Sequence, residues 1–228
     1  MRRAAIVSLL VTLVLGMISN LLFLFAFQFR IEWFLDPAQL VSAGSTSATF
    51  LRWAAVADLL SYYLPTAIVA VVLWHVLRPR SPLLTDLATL GALAYVVTGG
   101  SAAAALALAG PLLLDAYATA GPDQAAIATV FAVLVEVVWR GVWQLFDMLV
   151  VGAWVIGLGV LLRTDQVGFA RLSWTLGGLM WLVAALNGLE LPLAKDIVLA
   201  AVFALLTAWS IWLIVLLKSR ATPFDSLA

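Results

Sequence analysis

Six apolar stretches, separated by short polar breaks, organise the 228-residue chain. They cover residues 4–29, 51–77, 87–114, 124–162, 172–189 and 196–217. A membrane-crossing helix needs about 20 predominantly apolar residues. In hydrocarbon every backbone polar group must find its partner inside the protein, which leaves helices as the way to cross with such segments. The pattern predicts an all-α, polytopic membrane helix bundle of six transmembrane helices forming one transmembrane domain. The first stretch follows Met1-Arg2-Arg3 and runs for 26 residues to Phe29. A signal-peptide core is only about 7–15 residues, so this stretch is expected to be a retained first span. The fourth covers 39 residues, roughly 58 Å as an α-helix. Such a length predicts that it projects from the membrane, tilts strongly, or breaks near Gly141.

Composition agrees with the pattern. Hydrophobic residues make up 65% of the chain and charged residues 11%, and the mean hydropathy is +1.13. Soluble domains carry about 25% charged residues. The basic residues then give a direction. With the N-terminus inside, the cytoplasmic side holds Arg2, Arg3, Arg78, Arg80, Arg163, Arg171, Lys218 and Arg220. The other side holds Arg30, Arg52 and Lys195. This positive-inside bias predicts that both termini are cytoplasmic. Ten arginines against two lysines, with abundant alanine, suit a bacterial cytoplasmic membrane. In the external loop 30–50, Trp33 and Phe34 suit the interfacial belt, Asp36-Pro37 suits the start of a short helix, and residues 42–47 read as a flexible tether.

Polar residues inside the spans change the picture most. Glu136, Arg140, Gln144 and Asp147 are spaced i, i+4, i+8 and i+11. At the α-helical 100° per residue they share one face. Charges in a span cost about 2.5–3.5 kcal/mol each on insertion scales and rarely face lipid. Glu136 and Arg140 are spaced to pair, whereas Asp147 needs another partner, a water or a proton. Asp58 and Tyr62 on the second span, and Asn187 and Glu190 on the fifth, fall in the same outer depth range. The expectation is an outward-opening polar pocket among spans two, four and five, lined by Asp58, Tyr62, Glu136, Arg140, Gln144, Asp147, Asn187 and Glu190. Small residues such as Gly99, Gly100, Gly152, Gly157, Gly159, Gly177 and Gly178 suit close helix packing.

Other chemistries are set aside. Net charge is zero, so no basic surface invites nucleic acid. With no cysteine and one histidine, His75, thiolate chemistry, Cys-ligated metals and bis-His haem are excluded. No phosphate-binding or zinc-protease string occurs, and nothing calls for a cofactor, a metal or a catalytic residue. His75 reads as an interfacial imidazole.

The segment 135–182 combines Glu136-Val-Val-Trp139-Arg140 and a span punctuated by Gly152, Gly157 and Gly159. A short loop ending Phe169-Ala170-Arg171-Leu172-Ser173 then leads into Gly177-Gly178. It resembles an uncharacterised bacterial family of six-span membrane proteins catalogued as a domain of unknown function. The resemblance implies a six-helix bundle and no activity. Three functional readings stand open: a small-molecule or lipid binder or transporter using the pocket, an accessory subunit with oligomeric or complex partners, and a membrane enzyme acting on a lipidic substrate.

Overall fold

The structure is a computed structural model that describes residues 1–30, 32–119, 121–219 and 222–226; Arg220, counted above among the inner charges, lies outside them. Six helices are long and apolar enough to cross a membrane: Arg2–Ala26, Ser45–Leu77, Pro82–Thr119, Gly121–Leu162, Val167–Gly188 and Pro192–Ser219. These six spans imply a lipid bilayer environment. The third and sixth begin on prolines, whose missing N–H and fixed φ suit the first helical position. Short connections, and the folded segment 27–44 between the first two, leave successive spans antiparallel. Both termini therefore share one end of the bundle, where Phe224 packs in the same core as Ala5, Leu77, Leu162 and Leu217.

Each span packs against its chain neighbours, and the sixth closes back on the first. The ring encloses two apolar cores. One fills the end bearing the termini, around Leu73, Trp154, Leu176, Trp209 and Leu213. The other fills the far end, around Phe23, Leu51, Leu106, Leu114 and Phe131. In lipid, helices associate by close packing, and spans four and five show how. A Cβ on Gly177 would fall 2.7 Å from the Gly152 carbonyl oxygen, so only glycine allows these backbones to approach as they do. The Trp181 indole lies over Gly152 and donates to the Leu149 carbonyl at 2.9 Å.

Two spans depart from α geometry. The second is π-helical over Leu59–Tyr63 and the fourth over Glu136–Phe146. Pro65 explains part of the first departure, because it cannot donate to the Ser61 carbonyl in an α ladder. Thr12 of the first span lies 2.7 Å from that oxygen and 3.1 Å from Ser8 O, so its single hydrogen serves the shorter contact. The fourth span runs on without a break through Gly141. Its excess length runs on past the end of the fifth span. Asn187, at the end of the fifth span, donates from Nδ2 to Arg140 O at 3.0 Å. Residues 121–139 therefore continue past the level where the fifth span stops, by roughly 25–30 Å.

The loop after the first span is folded rather than a tether. Pro37–Ala43 form a 3-10 helix, Gly44 turns the chain with φ +73°, and the second span starts at Ser45. Asp36 precedes the helix as expected, but its carboxylate accepts from Gln39 Nε2 at 2.9 Å instead of capping the backbone. Trp33, Leu40 and Val41 are buried in the far-end core, while the Phe34 side chain lies outside what is described.

Candidate functional site

The polar residues gather at two places. The first lies at mid-depth, between the two apolar cores. Asp147 is 3% exposed and accepts from the Tyr63 hydroxyl at 3.3 Å. Thr98 Oγ1 is 3.4 Å from Asp147 Oδ1 but only 2.6 Å from Ala94 O. The one Thr98 hydrogen goes to the nearer carbonyl, leaving lone pairs toward Asp147. The Tyr63 and Tyr95 rings lie 4.7 Å apart, and Asp58 is within electrostatic reach of Asp147. Among the described residues no basic side chain pairs with either carboxyl. Gly99 makes the space: a Cβ there would fall 2.3 Å from Asp147 Oδ2 and 2.2 Å from Tyr63 Cε1. Next to this group lies an axial cavity of about 50 Å³, lined by Thr12, Tyr62, Thr66, Tyr95 and Ser210 among apolar side chains. That is space for a water or two.

The second place is at the far end, where the fifth span turns into the sixth. A half-open cavity of about 210 Å³ is lined by Arg140, Leu186, Asn187, Glu190, Leu191, Pro192 and Lys195. Lys195 is 5% exposed. Its ammonium donates to Gln144 Oε1 at 2.8 Å and lies 3.5 Å from Asp196 Oδ1. Arg140 pairs with Glu136 at 2.9 Å on a part of the helix that protein covers only partly. Asn187 uses Nδ2 on the Arg140 carbonyl, while its buried Oδ1 has no partner. The turn is closed by bonds from Glu190 N to Asn187 O at 3.2 Å and from Leu191 N to Leu186 O at 3.0 Å. This is a helix C-terminus of the kind that usually places glycine in the left-handed region. Glu190 occupies that conformation instead, at φ +56°.

Residues 5–216 match the family described as a domain of unknown function, DUF4386. The chain belongs to the DUF4386 family. No curated protein and no solved structure matches it. The family match extends the resemblance seen in 135–182 to nearly the whole chain, and the six apolar helices fit a membrane-protein family.

For this DUF4386 protein the geometry corrects the expectation of one pocket among spans two, four and five. The third span lies between the second and the fourth, so Asp58 and Asp147 share the mid-depth group while Arg140, Gln144, Asn187 and Glu190 gather at the far end. Tyr62 turns toward the first span, where Asn20 Nδ2 donates to its hydroxyl at 3.4 Å. Glu136 touches the far-end group only through Arg140. The π segment is the reason Asp147 leaves the stripe. An i→i+5 ladder turns less per residue than an α-helix, so a face projected at 100° per residue is lost over eleven residues. Lys195 was counted only as a loop charge. Its position in the first turn of the sixth span, behind Pro192, is the signal that places it against the fourth. His75 is exposed.

Proposed function

We propose that this DUF4386 protein resides in a bacterial cytoplasmic membrane with both termini inside, and that it binds a small molecule or a lipid headgroup in the pocket at its outer end. The observation that carries this reading is Lys195, a buried ammonium lining a half-open cavity. An ionised group withdrawn from water is costly unless paired and hydrogen-bonded. Charges retained within or beside a span are a pointer to function by default. Lys195 has three N–H donors; Gln144 takes one at 2.8 Å and Asp196 stands at 3.5 Å, so one is left over. The turn between the fifth and sixth spans at this level supports the reading, because the end of a span is where a headgroup would meet it.

The test is native mass spectrometry of the protein extracted with its own lipids. One tightly held small molecule or lipid per chain is expected, with occupancy reduced in Lys195→Met. A wild-type protein free of any retained ligand in several mild detergents sinks the reading.

A second reading, an accessory subunit of a larger complex, is favoured by one observation. Residues 121–139 and the adjoining end of the third span outrun the fifth span, yet Leu108, Leu112, Val130 and Val133 are left uncovered by protein. Purification with a stoichiometric partner on that surface would favour it.

A further inference from the structure

Resting on the proposed binding reading, the ligand's chemical class follows from what the far-end pocket leaves unsatisfied. We propose that the pocket recognises a zwitterion: a primary ammonium held beside a phosphate or carboxylate.

Two sets of groups face the cavity. The first suits an anion. Lys195 retains N–H donors beyond the one given to Gln144. It stands in the first turn of the sixth span, whose dipole favours negative charge. The Arg140 guanidinium lines the same cavity, with more donors than the single Glu136 contact uses. The second set suits a cation. Asn187 is 8% exposed and its Oδ1 is a buried acceptor without a donor. Buried polar atoms are nearly always hydrogen-bonded, and the protein itself supplies this sealed oxygen with no donor. Glu190, on the same wall, adds a carboxylate.

The remaining charges narrow the ligand. Arg140 and Lys195 each already stand beside one carboxylate, which leaves Glu190 of the wall for a ligand cation. A ligand with anionic groups alone would meet Glu190 with like charge, and one with only a cation would leave the spare Lys195 and Arg140 donors unused. Size points the same way. At about 210 Å³ the cavity is smaller than the ~300–1,000 Å³ of pockets for drug-sized ligands, and of headgroup scale. The shared chemistry has two sources, an aminophospholipid headgroup or a free zwitterion such as phosphoethanolamine or an amino acid.

The experiment loads the full-length protein with equimolar phosphatidylethanolamine and phosphatidylglycerol and reads retained lipid by native mass spectrometry. Phosphatidylethanolamine should be retained about tenfold over phosphatidylglycerol, the value of one hydrogen bond to a charged group. That preference should shrink in Glu190→Gln and reverse in Glu190→Lys, while the protein stays folded. Soluble phosphoethanolamine or glycine is then added. Displacement of the lipid, or retention of the soluble compound in its place, supports the zwitterion and assigns the free source; retained phosphatidylethanolamine unaffected by them supports the lipid source. Equal retention of the two phospholipids, or a preference for phosphatidylglycerol, overturns the zwitterion while leaving the binding reading intact. Retention of no ligand at all overturns both.

Discussion

The Tyr63 hydroxyl donates to Asp147 Oδ2 at 3.3 Å, tying the second span to the fourth through space that Gly99 of the third leaves open. Three helices thus depend on one missing side chain. Gly99→Ala is expected to destabilise the bundle by about 1–3 kcal/mol, the usual cost of forcing extra volume into a packed interior. Gly178→Ala is the matched control, since a Cβ there meets nothing within 4 Å, and should raise stability by about 0.5–1 kcal/mol. Thermal unfolding in one detergent compares them, and equal melting points would refute the packing account.

Gln144→Leu should cost about 1–3 kcal/mol by leaving the Lys195 ammonium without its 2.8 Å acceptor. Adding Lys195→Met should recover most of the loss, because removing both partners is far cheaper than orphaning one. A double mutant less stable than Gln144→Leu alone contradicts the pairing.

The Glu136–Arg140 pair behaves differently. Its side chains are 58% and 37% uncovered, and partly exposed i,i+4 pairs contribute about 0.3–0.5 kcal/mol. Glu136→Gln and Arg140→Gln are each expected to shift the melting point only slightly. A drop as large as that of Gln144→Leu would mean that the pair is buried against something else.

Thr12→Val should cost about 1 kcal/mol by depriving the Ser61 carbonyl of its 2.7 Å donor. In a Pro65→Ala background the cost should fall, since residue 65 then carries an N–H that the helix ladder can use. Chemical denaturation of the four variants gives the coupling, and strict additivity would disprove it.

The chain has no cysteine, so single-cysteine labelling reads orientation cleanly. In intact cells Ser42→Cys should react with a membrane-impermeant maleimide, and Thr164→Cys should react only after permeabilisation. The reverse pattern would invert the bundle and turn the far-end pocket toward the cytoplasm.

Much of the fold was legible because spans are specified by apolar length alone, which neither helix type nor neighbour order disturbs. The third helix runs from Pro82 to Thr119, beyond the apolar stretch 87–114, since Asp86 and Asp115 near its ends do not stop it. The site was less legible for two physical reasons. Projecting Asp147 at 100° per residue assumed a regular α-helix, and the π segment from Glu136 to Phe146 turned it toward Tyr63. Counting residues along a span fixes depth only coarsely and lateral order not at all. Asp58, near Asp147 at mid-depth, and Asn187, beside Arg140 at the far end, therefore fall in one outer range when read from sequence. Arg140, Asn187 and Glu190 do line one cavity, but the Lys195 that completes it stands in another span.

The unequal fourth and fifth spans have a consequence for the lipid itself. Tied together at the terminal end and again where Asn187 meets Arg140, they give the molecule walls of two heights, 42 residues on one side and 22 on the other. A bilayer of uniform thickness fits only one of them. At about 33 Å the short wall matches a hydrocarbon core of ~30 Å, so the bilayer need not deform beside it. The tall wall must then stand above the lipid, or the whole bundle must lean until that wall is submerged, at fractions of a kcal/mol per ångström. In an upright bundle the mouth beside Lys195 lies level with the lipid surface, under the overhang of the fourth span.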